Sequence, residues 1–459
     1  MSHQDKHVGK VRYNAEFLKQ ALRYLLAPVD WSGFLFRKDC TWLPLQLAAA
    51  ALLWAWSDEL TLGDRFFTAR RIIKHLYQPQ QELAGSVQAF MKMLVTWTAR
   101  LLAVVQAAFQ RRMQEALAAR WLVHGFVVFA ADGSREELPR TRSHQAAYSP
   151  GTLRNPKKRD RRKKPRSAAH TKKAETPRMW LTLLWHVGTG LPWCWRCGPS
   201  GSSERDHCRE MLGELPGGAL ITVDAGFTGY EFFKAILESG RHLLVRVGSN
   251  VRLLRKLGWT RESGGTVYLW PDSAAQKNCA PIVLRLVVMQ GPRHPIYLVT
   301  NVAASRLTDR QVMDLYQQRW GIEVFFRHLK QTFQRRKLRS ASAENAEIEL
   351  IWSLLGLWGM ALYAQVEMQR QGVDPQRLSV ALVLRSFRRI MRDYLHPVRR
   401  DCSLAELLAR AVRDNYRRKN KASPDYPRKK HPDPPAGPPQ ILKATVSQIR
   451  HARELRTAA

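Results

Sequence analysis

Between Tyr13 and about Arg120, apolar residues recur at spacings of three and four. They do so in YNAEFLKQALRYLLA, in a run ending LLWAW, in DRFFTARRIIKHL and in SVQAFMKMLVTWTARLLAVVQAAFQRRM. That period gives a helix one apolar face, so four helices are predicted. After Trp121 the pattern changes to short runs rich in β-branched and aromatic residues, beginning with FVVFAAD at 126–132, and a new domain is expected to start there. Strands are predicted at MWLTLLWHVG, WCWRCG, ALITVD and HLLVRVG, with helices at RDHCREMLGEL and YEFFKAILESG between them. Alternating strands and helices imply an α/β sheet. From 250 to 303 the runs VRLLRKL, VYLW, APIVLRLVVM and HPIYLVTN are separated by Gly and Pro, which predicts an all-β insertion. A long helix over 308–336 follows, then helices over 343–370, 376–393 and 403–413. The tail from 416 carries seven prolines between Pro424 and Pro439 together with Arg428, Lys429 and Lys430, so little packed structure is expected in it.

Composition narrows what such a chain can be for. Its 459 residues hold 74 Lys plus Arg against 38 Asp plus Glu, a formal charge of +36, and are 45% hydrophobic. With about 150 residues per domain as a guide, about three domains with real cores are expected. A disordered polycation is excluded, and a dedicated small-molecule enzyme fits poorly. Charge of this size repels itself unless a polyanion neutralises it, which makes nucleic acid the leading partner. Six scattered cysteines and an N-terminus without an apolar core predict a reducing, cytoplasmic setting, which with a nucleic-acid partner becomes a nucleoid-associated one. The longest apolar runs, 47–56 and 351–364, fall short of the about 20 residues that a bilayer requires, so no membrane span is expected. The stretch 138–177 is polar and intensely basic, with Lys157, Lys158, Arg161, Arg162, Lys163 and Lys164 at its centre. It is expected to be a loop that tracks a DNA backbone. On the third helix, Arg70, Arg71, Lys74 and His75 form a smaller basic group that suits either phosphate or a solvated face. Cys194, Cys197, His207 and Cys208 have the residue types of a zinc site, but the adjacent second pair makes a poor tetrahedron with the first.

Two predicted strands end in an acid: FAADGS places Asp132 at one terminus and ITVDAGF places Asp224 at another. Ligands gather at the carboxyl ends of strands in open α/β sheets, so the two acids converge if their strands are neighbours. A third acid lies on the long helix, in Tyr316-Gln-Gln-Arg319-Trp-Gly-Ile-Glu323-Val-Phe-Phe-Arg-His-Leu-Lys330. At 100° per residue, Arg319, Glu323 and Lys330 stand at about 300°, 340° and 320° from Tyr316, inside a stripe roughly 60° wide. Ordinary ion pairing between Arg319 and Glu323 on a solvated face is the competing explanation. Three carboxylates form an oxygen-rich site suited to Mg²⁺ or Mn²⁺, and a pair of such ions performs phosphodiester displacement.

These residues resemble the Tyr-Arg-Glu-Lys signature of DDE transposases of the insertion-sequence-four family, and VDAGFTGYEFF resembles that family's motif around the second acid. The resemblance covers roughly 120–370, and the N-terminal helices more loosely. It implies a ribonuclease H-like catalytic core interrupted by the all-β insertion, preceded by a helical N-terminal domain and followed by C-terminal helices. The implied divisions are an end-binding domain at 1–120, the first part of the core at 121–249, the insertion at 250–303 and the catalytic helix region at 304–370. C-terminal helices at 371–415 and the basic tail at 416–459 complete the chain. Carried over by position, Asp132, Asp224 and Glu323 would bind two Mg²⁺ ions, with Mn²⁺ as a substitute. Tyr316, Arg319 and Lys330 would contact DNA phosphates, with Arg246 a further candidate. The implied partners are double-stranded DNA, as element ends and as target, and a second copy of the chain in a dimer or larger assembly. Some relatives form a hairpin and hold a flipped base on an aromatic residue of the insertion; here that position falls near Ile296, with Tyr297 adjacent and Trp259 and Trp270 earlier. Two other readings remain open: a catalytically inactive DNA-binding inhibitor of transposition, and a ribonuclease H-like nuclease that cuts without joining.

Overall fold

The computed structural model describes residues 16–79, 82–149, 176–291, 294–395, 403–413 and 437–458. Its N-terminal part is helical, with α1 at 16–26, α2 (Pro44–Trp56), α3 (Leu62–Tyr77) and α4 (Val87–Ala116). The helix starts follow from local chemistry. Thr61 accepts a hydrogen bond from the Asp64 N–H at the head of α3, and Ser86 one from the Ala89 N–H at the head of α4. Arg70 and Lys74 prove to be occupied inside the protein. Arg70 Nε donates to the Leu83 and Ala84 carbonyls, and Lys74 Nζ lies 2.5 Å from Glu82, so these two cations fasten the α3–α4 loop.

The rest of the chain builds a mixed α/β layer around β1 (Val128–Glu137), α5 (Arg142–Tyr148), β2 (Arg178–His186), β3 (Leu191–Gly198) and α6 (Glu204–Met211). There follow β4 (Leu220–Val223), α7 (Tyr230–Glu238), β5 (His242–Val247), β6 (Arg252–Arg255), β7 (Thr266–Leu269), α8 (Asp272–Gln276), β8 (Ile282–Gln290) and β9 (Pro295–Thr300). Next come α9 (Asp309–Gln318), α10 (Gly321–Arg327), α11 (Ala343–Arg370), α12 (Val380–Leu395), α13 (Leu404–Ala409), β10 (Gln440–Lys443) and α14 (Val446–Ala458). One ten-stranded sheet runs in the order β10-β6-β7-β8-β9-β5-β4-β1-β2-β3. The segment β1-β2-β3 is antiparallel, β4 and β5 lie parallel to β1, and β9 joins β5 antiparallel. The expected insertion is therefore not a separate sheet: its strands widen the main one, and it includes the short helix α8.

Helix α11 is the spine that joins the helical part to the sheet. It is buried along most of its length, and the Trp56 indole donates to the Gly356 carbonyl while the Trp352 indole donates to Thr98 Oγ1. By length and composition α4 and α11 could each cross a membrane, but the apolar window of α11 is 94% buried inside the protein, as a core helix would be.

Three expectations change. Asp132 does not end its strand: β1 continues to Glu137, because Asp132 to Glu137 go on pairing with β2 after the parallel pairing with β4 stops at Ala130. The long helix over 308–336 is broken, with α9 ending at Gln318, α10 starting at Gly321 and a π-helical turn at His328–Thr332. The tail is not unstructured throughout, since β10 pairs parallel with β6 and α14 follows. The helix break has a packing cause. A Cβ on Gly321 would lie 2.0 Å from the ring of Trp185 on β2, so only glycine lets the start of α10 approach the sheet this closely. We expect Gly321→Ala to destabilise the protein by about 1–3 kcal/mol through overpacking, read as a lower urea midpoint at unchanged slope. A midpoint equal to wild type would show that the Trp185 contact does not fix the break.

Candidate active site

The parallel register of β1 and β4 ends by pairing Ala130 with Thr222, so Asp132 and Asp224 each come two residues past the last pair, near enough for the Asp224 charge to act on Asp132. The two acids meet because their strands are neighbours. Asp224 follows the last residue of β4 and opens a tight turn, where its Oδ1 accepts the Gly226 N–H at 2.8 Å. Asp132 Oδ1 accepts the Gly133 N–H, also at 2.8 Å. Glu323 comes from the first turn of α10, and its Oε1 accepts from Arg319 Nη2 at 2.9 Å. Each carboxylate thus has one oxygen held by a local donor, and the other makes no hydrogen bond among the described residues.

The electrostatics tie these groups together. Burial pushes the Asp132 carboxyl up to about 6; the Gly133 N–H and Arg319 oppose the shift, and Asp224 and Glu323 add to it. Burial works against the Arg319 charge, yet Tyr316, Asp132, Glu323 and Asp224 outweigh it and hold that guanidinium above its ordinary value. Arg319 also stacks over Tyr316, 5.5 Å from guanidinium carbon to ring centre, and its buried Nε–H has no hydrogen-bond partner among the described residues. The i to i+4 ion pair that a merely solvated face would show is present, but on a buried Arg319 that faces three acids.

Lys330 stands apart from that cluster. The π-turn carries its Nζ to the Arg135 carbonyl at 3.0 Å, and 3.8 Å from Glu136, a fully buried carboxylate on β1. Burial pushes Glu136 up to about 7, with Lys330 the largest opposing influence. The chain after the π-turn then lies along the end of β1, where the Glu137 N–H donates to the Arg336 carbonyl and the Leu338 N–H to the Glu137 carbonyl.

Arg246 is half-buried on β5 in register with Leu298, and no hydrogen bond or ion pair among the described residues links it to the acids. Lys157, Lys158, Arg161, Arg162, Lys163 and Lys164 lie outside the described residues. Among the aromatic residues of the insertion, Trp270 is buried with its indole donating to the Cys279 carbonyl, and Tyr297 sits within β9 opposite Val247 and Val288.

The sequence pattern did not single out Glu204, the first residue of α6. It reaches the site over Gly133, where a Cβ would stand 2.3 Å from Glu204 Oε1. Burial pushes its carboxyl up to about 7, Asp132 and Asp224 push it further, and Arg135 opposes them. The available signal was an acid directly after the Gly- and Ser-rich turn that follows β3, a second route by which chain can return to the same end of the sheet.

The donor set suits a hard divalent ion. Carboxylates from three elements act electrostatically on one another and on Arg319, their buried counter-charge, and no sulfur or imidazole enters. In this conformation no three His, Cys, Asp or Glu side chains among the described residues are close enough to hold a metal ion, which covers the cysteines as well as the acids.

A family described as "Transposase DDE domain" matches residues 126–358. Over 268 residues the chain is 25% identical to "Transposase InsG for insertion sequence element IS4" of Escherichia coli (strain K12), a match that covers 56% of this chain and 56% of that protein. The chain therefore spans just over half the length of that curated relative. Among solved structures it is similar to one described as the cryo-EM structure of a piggyBac transposase synaptic complex with hairpin DNA, at 12% identity and a TM-score of 0.38, over 91% of this chain and 87% of that one.

Proposed function

The chain belongs to the transposase DDE domain family, and from that premise we propose that it is a DNA transposase acting on the terminal inverted repeats of an insertion sequence. The observation that carries the proposal is the meeting of Asp132, Asp224 and Glu323 around buried Arg319 just past the point where the parallel pairing of β1 with β4 stops. The strand order β3-β2-β1-β4-β5, antiparallel in its first half and parallel in its second, supports the ribonuclease H-like core.

In this reading Asp132, Asp224 and Glu323 hold two Mg²⁺ ions, for which Mn²⁺ substitutes. The chemistry such ions supply when bound is activation of an attacking oxygen and stabilisation of the leaving one. The chain's own residues bind and orient the DNA. Arg319, whose Nε–H has no partner among the described residues, receives a phosphate beside the cut. Tyr316 backs its guanidinium, and Lys330 supplies a point charge further along the strand. Cleavage at the element end frees a 3′-hydroxyl, which then attacks target DNA. Assembly as a dimer or larger complex on paired ends, and a cytoplasmic, nucleoid-associated location, belong to the same proposal. The intact acid triad favours an active enzyme over an inactive end-binder.

The deciding experiment incubates labelled DNA carrying the element's ends with the protein, in Mg²⁺ or in EDTA. Metal-dependent 3′ cleavage with joined products is expected. Cleavage without joining would identify a nuclease instead, and binding without cleavage an end-binding inhibitor. Salt gives an independent check. With a formal charge of +36 and six or more phosphates contacted, affinity should fall about a thousandfold between 50 and 200 mM salt, and a flat response in a mobility-shift titration would remove the phosphate-tracking role.

A further inference from the structure

Ser203 already caps α6: its side chain accepts the Asp206 N–H, and Asp206 lies in the first turn. An acid at the head of a helix gains a little from the helix dipole, about 0.3–1 kcal/mol, and needs no further role to be tolerated there. The Glu204 side chain, however, is not turned back over its own helix. It crosses to β1 and lies against the backbone of Gly133, where Oε1, Cδ and Cγ would stand 2.3, 2.6 and 2.7 Å from any Cβ. The residue beside Asp132 therefore has to be glycine for this carboxylate to reach its place.

The destination is an unfavourable one for an acid acting alone. Glu204 feels the charges of both Asp132 and Asp224, each two residues past the last parallel pair of β1 and β4. The cations available do not cancel that repulsion. Arg319 is bonded to Glu323, and the Arg135 guanidinium is stacked on Trp180, 4.4 Å from its ring centre. Placing a fourth carboxylate here costs folding energy unless something cationic is bound when the protein works.

We propose that Glu204 is a fourth carboxylate of the same divalent-metal site, reaching Asp132 and Asp224 from α6 across Gly133. The proposal rests on the reading of Asp132, Asp224 and Glu323 as metal ligands and extends it to a helix on the other side of β1. Glu204 either touches the ion or holds a water bound to it, the two ways in which a carboxylate at this place raises affinity for a hard oxygen-seeking cation.

Mn²⁺ titration followed by electron paramagnetic resonance, which counts free ion, tests this on the full chain without DNA and without turnover. The variants are Glu204→Gln, which keeps the size of the side chain, Gly133→Ala, which displaces the carboxylate without removing it, and Asp132→Asn as the reference ligand. Both Glu204→Gln and Gly133→Ala should weaken Mn²⁺ binding by about 10- to 100-fold, the scale of losing a group next to a bound metal. DNA binding should be retained. The thermal midpoint of Glu204→Gln without metal should equal or exceed that of wild type, because a repelling charge is gone, while the rise on adding Mn²⁺ should shrink. Wild-type Mn²⁺ affinity in Glu204→Gln, beside a loss in Asp132→Asn, overturns the proposal and leaves the three-acid site standing. Unchanged affinity in all three variants overturns both.

Discussion

Glu323→Gln should reduce cleavage of element-end DNA by about a thousandfold or more while leaving DNA binding intact or slightly stronger. The substitution keeps the shape of the side chain and removes one negative charge from the three that surround Arg319. It also breaks the charged bond of 2.9 Å between Glu323 and Arg319, so the guanidinium is left facing Asp132 and Asp224. A phosphate then meets the same cation with one competing carboxylate fewer, which is why affinity should not fall. Single-turnover cleavage in Mg²⁺, set beside a mobility-shift titration at one salt concentration, separates the two effects. Cleavage within tenfold of wild type would remove Glu323 from the chemistry and return its pairing with Arg319 to an ordinary helix contact.

The largest stability effect is expected away from the site, at Glu349 of α11. This carboxylate is 1% exposed, and its Oε2 accepts from the Arg339 N–H, the Ser340 N–H and Ser340 Oγ, each at 2.9 Å. It also offsets two buried cations. Burial lowers Arg335 to about 9 and Arg65 to about 10, and Glu349 is the chief influence holding Arg335 charged. Glu349→Ala removes three acceptor contacts and leaves those guanidinium groups without their common counter-charge, so a loss of about 3–5 kcal/mol is expected. Glu349→Gln keeps an acceptor for the same donors and should lose less. Urea unfolding of the two variants measures the difference; equal midpoints would mean that charge, not hydrogen bonding, carries the contribution.

The acids of the site were legible because each carried a local signal: an Asp closing an apolar run in FAADGS and ITVDAGF, and an Arg–Glu pair four apart on a helix. What brings them together is the pairing of β1 with β4, and no local pattern specifies a register between strands so far apart in the chain. The helix break was invisible for the same reason. Gly321 inside a helical pattern reads as a modest local cost, and its need for glycine is set by Trp185, on a strand many residues earlier. Straight-helix arithmetic put Lys330 on the stripe of Arg319 and Glu323, whereas the break and the π-turn deliver it beside Glu136. Glu204 was not singled out because an acid in the first turn after a Ser cap is an ordinary helix start, and only the bare backbone of Gly133 distinguishes this one. The tail was misjudged because prolines dominate its composition, whereas the short QILK run beyond them finds an open sheet edge.

That last pairing sets the order in which the sheet can be finished. β10 is the outermost strand and also the latest in the chain, bonded in parallel to β6, so the edge of Arg252–Arg255 stays open until the most sequence-distant contact of the sheet has formed. Long-range parallel pairing is slow, and a bare strand edge templates association with other chains while it waits. Concentration during refolding should therefore govern yield more strongly than any property of the catalytic end, and a truncation before Gln440 would make that exposure permanent.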